Sequence, residues 1–183
     1  MPRSRVVARA WSRSRRGPKG SGARWKRMKS RKSWHEKMNR PAKVVDIPPA
    51  MQKRMGSGKM LIPCPLDVDA LIRTVRRGRL VTQSQIRETL ARAHQADVAC
   101  PITTGIFSWI AAHAAAEAEM AGAKRVTPYW RTLKTGGELN PKYPGGINNV
   151  RSRLVAEGHR VVKKGNRFFV VDFELALIEP KQP

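Results

Sequence analysis

The chain has 183 residues, 40% of them hydrophobic, with 37 Lys/Arg against 13 Asp/Glu and a formal net charge of +24. That length accommodates one ordinary domain with a tail, and the lack of any 18-residue apolar run excludes a helical membrane span. Two cysteines, Cys64 and Cys100, outside any C-x-x-C spacing, exclude a disulfide scaffold and a structural zinc site, and they suit a reducing compartment.

The charge is uneven. Residues 1–60 hold 19 of the Lys/Arg but only two acids, Glu36 and Asp46, so +17 of the net +24 lies there. Such a field attracts polyanions, and nucleic acid is the expected partner because each neutralised phosphate releases a condensed counterion; an anionic membrane surface is the competing reading. Met1 to about Ser33 is Arg, Lys, Ser and Gly with scattered Trp11, Trp25 and Met28. It cannot bury enough apolar surface to offset its ordering entropy, so a disordered basic tail is predicted. Its first 16 residues are Arg- and Ser-rich without an acid, as in organellar transit peptides, but lack an apolar signal region. Import therefore stands beside a cytoplasmic, nucleoid-associated location. Val44 to Met60, with Pro48-Pro49 and Gly56-Ser57-Gly58, predicts an extended strap rather than a helix. The expected division is a tail and strap over 1–60, largely disordered, and a domain over 61–178.

Within that domain Asp67 is the expected cap of a helix to about Val75, with Val68, Leu71, Ile72 and Val75 at helical spacing. Thr82 and Gln85 form a capping-box pattern at the start of a second helix, Gln83 to His94. Pro101 suits the first turn of a third and longer helix ending near Met120. Its stretch Ile106 to Ala116, interrupted by Ser108 and His113, reads as buried. Two helices joined by a short loop form a helix-turn-helix pattern. Val126 to Gly146 contains Pro128, Gly136, Gly137, Pro141, Pro144, Gly145 and Gly146, too many breakers for a long element. Ile147 to Glu157 predicts a helix ended by Gly158, and His159–Val162 with Arg167–Val171 can pair as a hairpin around Lys164-Gly165-Asn166. The expected fold class is mainly α with a small β-hairpin, a winged helix-turn-helix behind a basic tail.

Three motifs carry a resemblance: Thr127-Pro128-Tyr129-Trp130-Arg131, Lys142-Tyr143-Pro144-Gly145-Gly146, and Leu154-Val155-Ala156-Glu157-Gly158-His159. In order and spacing this set, over roughly residues 62–163, resembles the C-terminal domain of the alkylguanine-DNA alkyltransferases, whose motifs are Pro-Cys-His-Arg, Tyr-Ser-Gly-Gly and Leu-Leu-x-x-Glu-Gly-His. Met28 to Trp34, and Lys43 to Pro49 with Met51 to Arg54, resemble the opening of bacterial relatives of this domain, which points to Met28 as the physiological start.

The departures bear on chemistry. Alkyl transfer needs a thiolate and a base to activate it, whereas Tyr129 stands at the cysteine position and Trp130 at the histidine position. A phenol with an ordinary pKa near ~10 does not substitute at neutral pH. The family's base-flipping arginine falls on Gly105, and the tyrosine of its preceding helix on Gln83. The resemblance is closest to the alkyltransferase-like proteins, which lack the reactive cysteine and bind alkylated bases. It implies non-enzymatic DNA binding, with a preference for modified bases in DNA repair. It also implies double-stranded DNA and other repair proteins as partners, a monomer, and no cofactor, metal or membrane.

The expected DNA contacts are Thr103, Thr104, Gly105 and Ser108, small or hydroxylated residues suited to close approach and phosphate bonding, together with Arg131. Tyr129, Trp130, Tyr143, Pro144, Gly145 and Gly146 are the expected base pocket, with core packing the alternative for the aromatic pair. Phe107, Trp109 and Ile110 are expected in the core. Two other functions stay open: a residual alkyltransferase using Cys64 or Cys100, and an RNA or ribonucleoprotein-binding module.

Overall fold

The computed structural model describes residues 32–180, so the tail expected to be disordered lies, up to residue 31, outside the described residues. The chain runs α1 (Trp34–Lys37), β1 (Lys43–Asp46), α2 (Pro49–Met55), β2 (Lys59–Ile62), α3 (Pro65–Arg73), β3 (Val81–Thr82), α4 (Gln83–Ala93), β4 (Val98–Ala99) and α5 (Pro101–Met120). A 3₁₀ turn at Tyr129–Arg131 leads into β5 (Thr132–Leu133), followed by α6 (Gly146–Ala156), β6 (Val161–Lys164) and β7 (Arg167–Val170). None of the described helices is long and apolar enough to cross a membrane.

The fold is mixed α/β rather than mainly α. Beside the expected hairpin β6–β7, β1-β2-β4 form a three-stranded sheet, and β3 pairs with β5. The extra strands escape a periodicity argument because β3, β4 and β5 span two residues each, too few for an alternating pattern. The strap also departs from expectation. Its two ends pair antiparallel, Lys43 with Ile62 and Asp46 with Lys59, and α2 forms between them. Pro49 sits in the first turn of α2, where its missing N–H removes no intrahelical bond, so the proline pair starts this helix instead of preventing it.

Local signals hold in the centre of the chain. Thr82 accepts from the Gln85 N–H at 3.2 Å and the Gln85 side chain accepts from the Thr82 N–H at 2.9 Å, closing the capping box of α4. Asp67 does not cap α3; Cys64 is the cap residue and Asp67 lies in the first turn. The connection between α4 and α5 is more than a turn, because β4 within it pairs parallel with β2. Gly158, at φ +94°, follows α6 in the left-handed conformation.

Helix α5 organises the interior. Phe107, Ile110, Ala111 and Ala114 pack into one apolar cluster with Leu61, Val68, Leu71, Ile72, Ile86 and Leu90. Ala112 and Ala115 pack into another with Tyr129, Leu133, Tyr143, Val150 and Leu154. A helix pressed between two clusters needs no single apolar stripe, and its alanines let both neighbours approach closely.

Candidate nucleic-acid interface

The 3₁₀ turn after Pro128 throws Tyr129 and Trp130 inward. Tyr129 and Tyr143 are 1% and 2% exposed, and Trp130 is also buried. Tyr129 meets Trp130 and Tyr143 edge to face, with centroids 5.3 and 5.6 Å apart, a favoured geometry for ring quadrupoles. The polar ends are occupied as well. Asn149 Nδ2 donates to Tyr129 Oη at 3.1 Å and to the Pro144 carbonyl at 2.8 Å. Gln83 Nε2 donates to Tyr143 Oη at 3.3 Å, and Ser108 Oγ donates to Gln83 Oε1 at 3.3 Å. The structure thus brings the expected pocket aromatics together as a packed core, not as an open wall. Around them Pro144 and Gly146 are half-buried and Gly145 is exposed. Gly145, at φ +73°, lies so close to Asn149 that a β-carbon there would stand 2.7 Å from the asparagine's own, which explains the glycine by packing.

Burial pushes the Tyr143 phenol up to about 12 against the bonds from Gln83 and Asn140. Burial likewise raises Tyr129, against the opposing charge of Arg153. Both phenols are therefore held in the neutral form.

Glu157 receives the groups beside this core. Trp130 Nε1 donates to it at 2.7 Å, Arg131 Nε at 2.8 and 3.0 Å, Arg131 Nη2 at 2.8 Å and the Gly78 N–H at 3.2 Å. Burial pushes its carboxyl up, but the donors from Arg131, Trp130 and Gly78 outweigh that and hold it below the usual carboxylate range. The indole thus stands as the donor to this glutamate. Arg131 also donates through Nη1 to the Val75 carbonyl at 2.6 Å and is mostly buried. Its guanidinium, expected from the sequence as a DNA contact, is thus engaged with Glu157 and the Val75 carbonyl inside the protein.

Two further expected contacts are turned inward. Thr104 and Ser108 are fully buried; Thr104 Oγ1 donates to the Cys100 carbonyl at 2.8 Å, and Ser108 bonds Gln83. Thr103 is half-buried with its hydroxyl 3.4 Å from the same Cys100 carbonyl. Gly105 does face outward, and a β-carbon there would meet nothing within 4 Å. The outward stripe of α5 is Ile102, Gly105, Ile106 and Trp109, spaced for one helical face. With Gln83, Lys134, Asn140, Pro141 and Lys142 these residues line an open groove of about 690 Å³.

Ile102 is 64% exposed and Ile106 46%; the sequence did not single out Ile102, and Ile106 departs from the expectation that Ile106 to Ala116 is buried. The signal available was their spacing from Gly105, one helical face away from Thr104 and Ser108. Phe107 and Ile110 are core as expected, but Trp109 borders the groove and donates from Nε1 to the Lys142 carbonyl at 3.0 Å. On its other side Trp109 meets Trp34 and His113 at centroid distances of 4.6 and 4.7 Å. Burial lowers the His113 pKa, so that imidazole is neutral at pH 7. Lys134 pairs with Glu138 at 2.7 Å, whereas Lys142 has no ion pair among the described residues. Cys100 is buried and Cys64 partly so.

No family model matches the chain, and no curated protein matches it. Among solved structures, S. pombe Atl1 in complex with damaged DNA containing O6-carboxymethylguanine overlaps 63% of this chain and 94% of its own, at a TM-score of 0.46 and 14% identity.

Proposed function

We propose that this chain binds double-stranded DNA without performing chemistry on it, α4 and α5 acting as a helix-turn-helix and β6–β7 as a wing. The carrying observation is the α5 groove: an apolar face with a glycine gap at Gly105, bordered by Lys134 and Lys142, on a chain with a net charge of +24. Gly105 permits close backbone approach, Ile102 and Ile106 offer apolar contact to a groove floor, and Lys142 supplies a phosphate contact. The phenol and indole at positions 129 and 130 are neutral and packed, which supports binding without transfer. A preference for modified bases rests on the resemblance of the Tyr143–Gly146 and Leu154–His159 motifs. Because the rings at 129 and 143 occupy the core, such a base would be read from the α5 groove rather than from between them.

Duplex binding followed by fluorescence anisotropy should weaken steeply as salt rises, and Gly105→Glu combined with Lys142→Glu should reduce affinity at least tenfold. Affinity insensitive to both would refute the reading. Intact mass after incubation with alkylguanine-containing duplex should show no added alkyl group; an adduct on Cys64 or Cys100 would make the protein an enzyme.

A further inference from the structure

The groove lies along the first half of α5; the far end of the same helix borders a second, strongly cationic cavity of about 670 Å³. Six cations line it, Arg73, Arg76, Lys124, Arg125, Arg131 and Arg153, and the acid among its lining is Glu119. Three of the six are neutralised within the protein: Arg73 by Asp69 at 2.6 Å, Arg131 by Glu157 at 2.8 Å and Arg153 by Glu119 at 2.7 Å. Among the described residues no ion pair engages the other three, so Arg76, Lys124 and Arg125, all exposed, leave the cavity with an uncompensated positive charge.

This excess is not explained by the helix end. Lys124 and Arg125 lie beyond the cap residue of α5, Ala121, and helix-dipole stabilisation fades within the last turn. Like charges gathered around a concavity repel one another unless an anion neutralises them. The paired arginines meanwhile make the wall firm. Arg153 is held by Glu119, by Asn149 Oδ1 at 3.2 Å, and by its guanidinium 4.5 Å from the Trp130 ring centroid. Arg76 and Arg79 line an adjoining cavity with Arg73 and one acid, Glu179, so arginines outnumber carboxylates there too. Two free guanidinium groups and an ammonium around an open concavity match a chain of phosphodiesters better than a single carboxylate, because each free fork can bind one phosphate in two places.

We propose that this cavity is a second nucleic-acid site, holding backbone phosphates of a second duplex segment so that one protein bridges two segments. Gly105 and Glu119 are separated by roughly 21 Å along α5 at the helical rise, so the two sites are distinct. The bridging half of the inference rests on the duplex reading of the α5 groove; the phosphate half does not.

The test uses the full chain with two short duplexes, one donor- and one acceptor-labelled, and energy transfer between them as the bridging signal. Wild-type protein should bring them together, and the Arg76→Glu, Lys124→Glu, Arg125→Glu triple variant should lower that signal at least tenfold. The same variant should keep single-duplex affinity within a few-fold, while Arg76→Lys with Arg125→Lys, which keeps the charge but loses the forks, should lower bridging by less than the triple variant does. All three residues are exposed, so an unchanged thermal melt should accompany the loss. Bridging that persists in the triple variant overturns the proposal and assigns it to the basic tail, which that variant retains. Suppression by poly-glutamate equal to that by inorganic polyphosphate at matched charge also overturns it, in favour of an acidic protein partner. If Gly105→Glu leaves bridging intact while the triple variant abolishes it, the groove reading fails and the cavity stands as a duplex site.

Discussion

Tyr129 and Tyr143 are the only two tyrosines in the chain, and both are buried with their hydroxyls bonded inside the protein. Burial raises both phenols, Tyr143 to about 12. A group whose folded pKa is raised contributes stability that is complete below its unfolded value and is lost as pH rises through the folded one. The tyrosinate absorbance should therefore rise only above the pH of about 10 at which a free phenol ionises, with the Tyr143 part of the signal delayed to about pH 12. An absorbance step at the ordinary value, with the fold intact, would show that the rings are open to solvent. Trp130 illustrates the same logic without a charge: its N–H supplies Glu157 with a short bond while its ring fills the core.

At the scale of an element, α5 carries most of the argument. Its inward residues divide between two apolar clusters, and its outward stripe of Ile102, Gly105, Ile106 and Trp109 faces the groove. Gly105 is the weak point, since a mid-helix glycine has more backbone freedom to lose on folding. An added β-carbon would touch nothing within 4 Å, so Gly105→Ala should raise stability by about 0.4–1 kcal/mol in a urea melt. If alanine destabilises instead, the stripe is packed rather than open. The helix cap at Thr82 was legible in the sequence because a capping box is local, four residues speaking to one another. The helix at Pro49–Met55 was not, because a proline pair both ends and begins helices and only its neighbours decide which.

Across the whole molecule, Glu157 joins parts of the chain that are distant in sequence: the end of α6, the 3₁₀ turn at Tyr129–Arg131 and the turn after α3, through Gly78. Glu138 does the same on a smaller scale, receiving Lys134 and Arg167. The Lys134 bond first, then the nearby charges, outweigh burial and hold Glu138 below the usual carboxylate range, as the donors do for Glu157. For a depressed pKa the sign is opposite to that of the tyrosines. This stability is complete above the ordinary carboxylate value and is lost as pH falls through the folded one. Denaturation midpoints should fall on acidification below about pH 4. Glu157→Gln, which strands a largely buried Arg131, should cost about 3 kcal/mol at neutral pH and flatten that acid limb. A Gln variant as stable as wild type would mean that the ion pair adds nothing to the fold.

What could be learned from the sequence alone is what travels along the chain. The charge excess, the capped α4, the long α5 beginning at a proline and the β6–β7 hairpin around Gly165-Asn166 all depend on neighbours a few residues apart. Which groups face water was decided only by the tertiary structure, because burial depends on partners far away in sequence. Arg131, expected from its motif at the DNA, is held by Glu157, 26 residues on. Thr104 and Ser108 read as surface hydroxyls until the rotation of α5 turned them inward and turned Ile102 and Ile106 out.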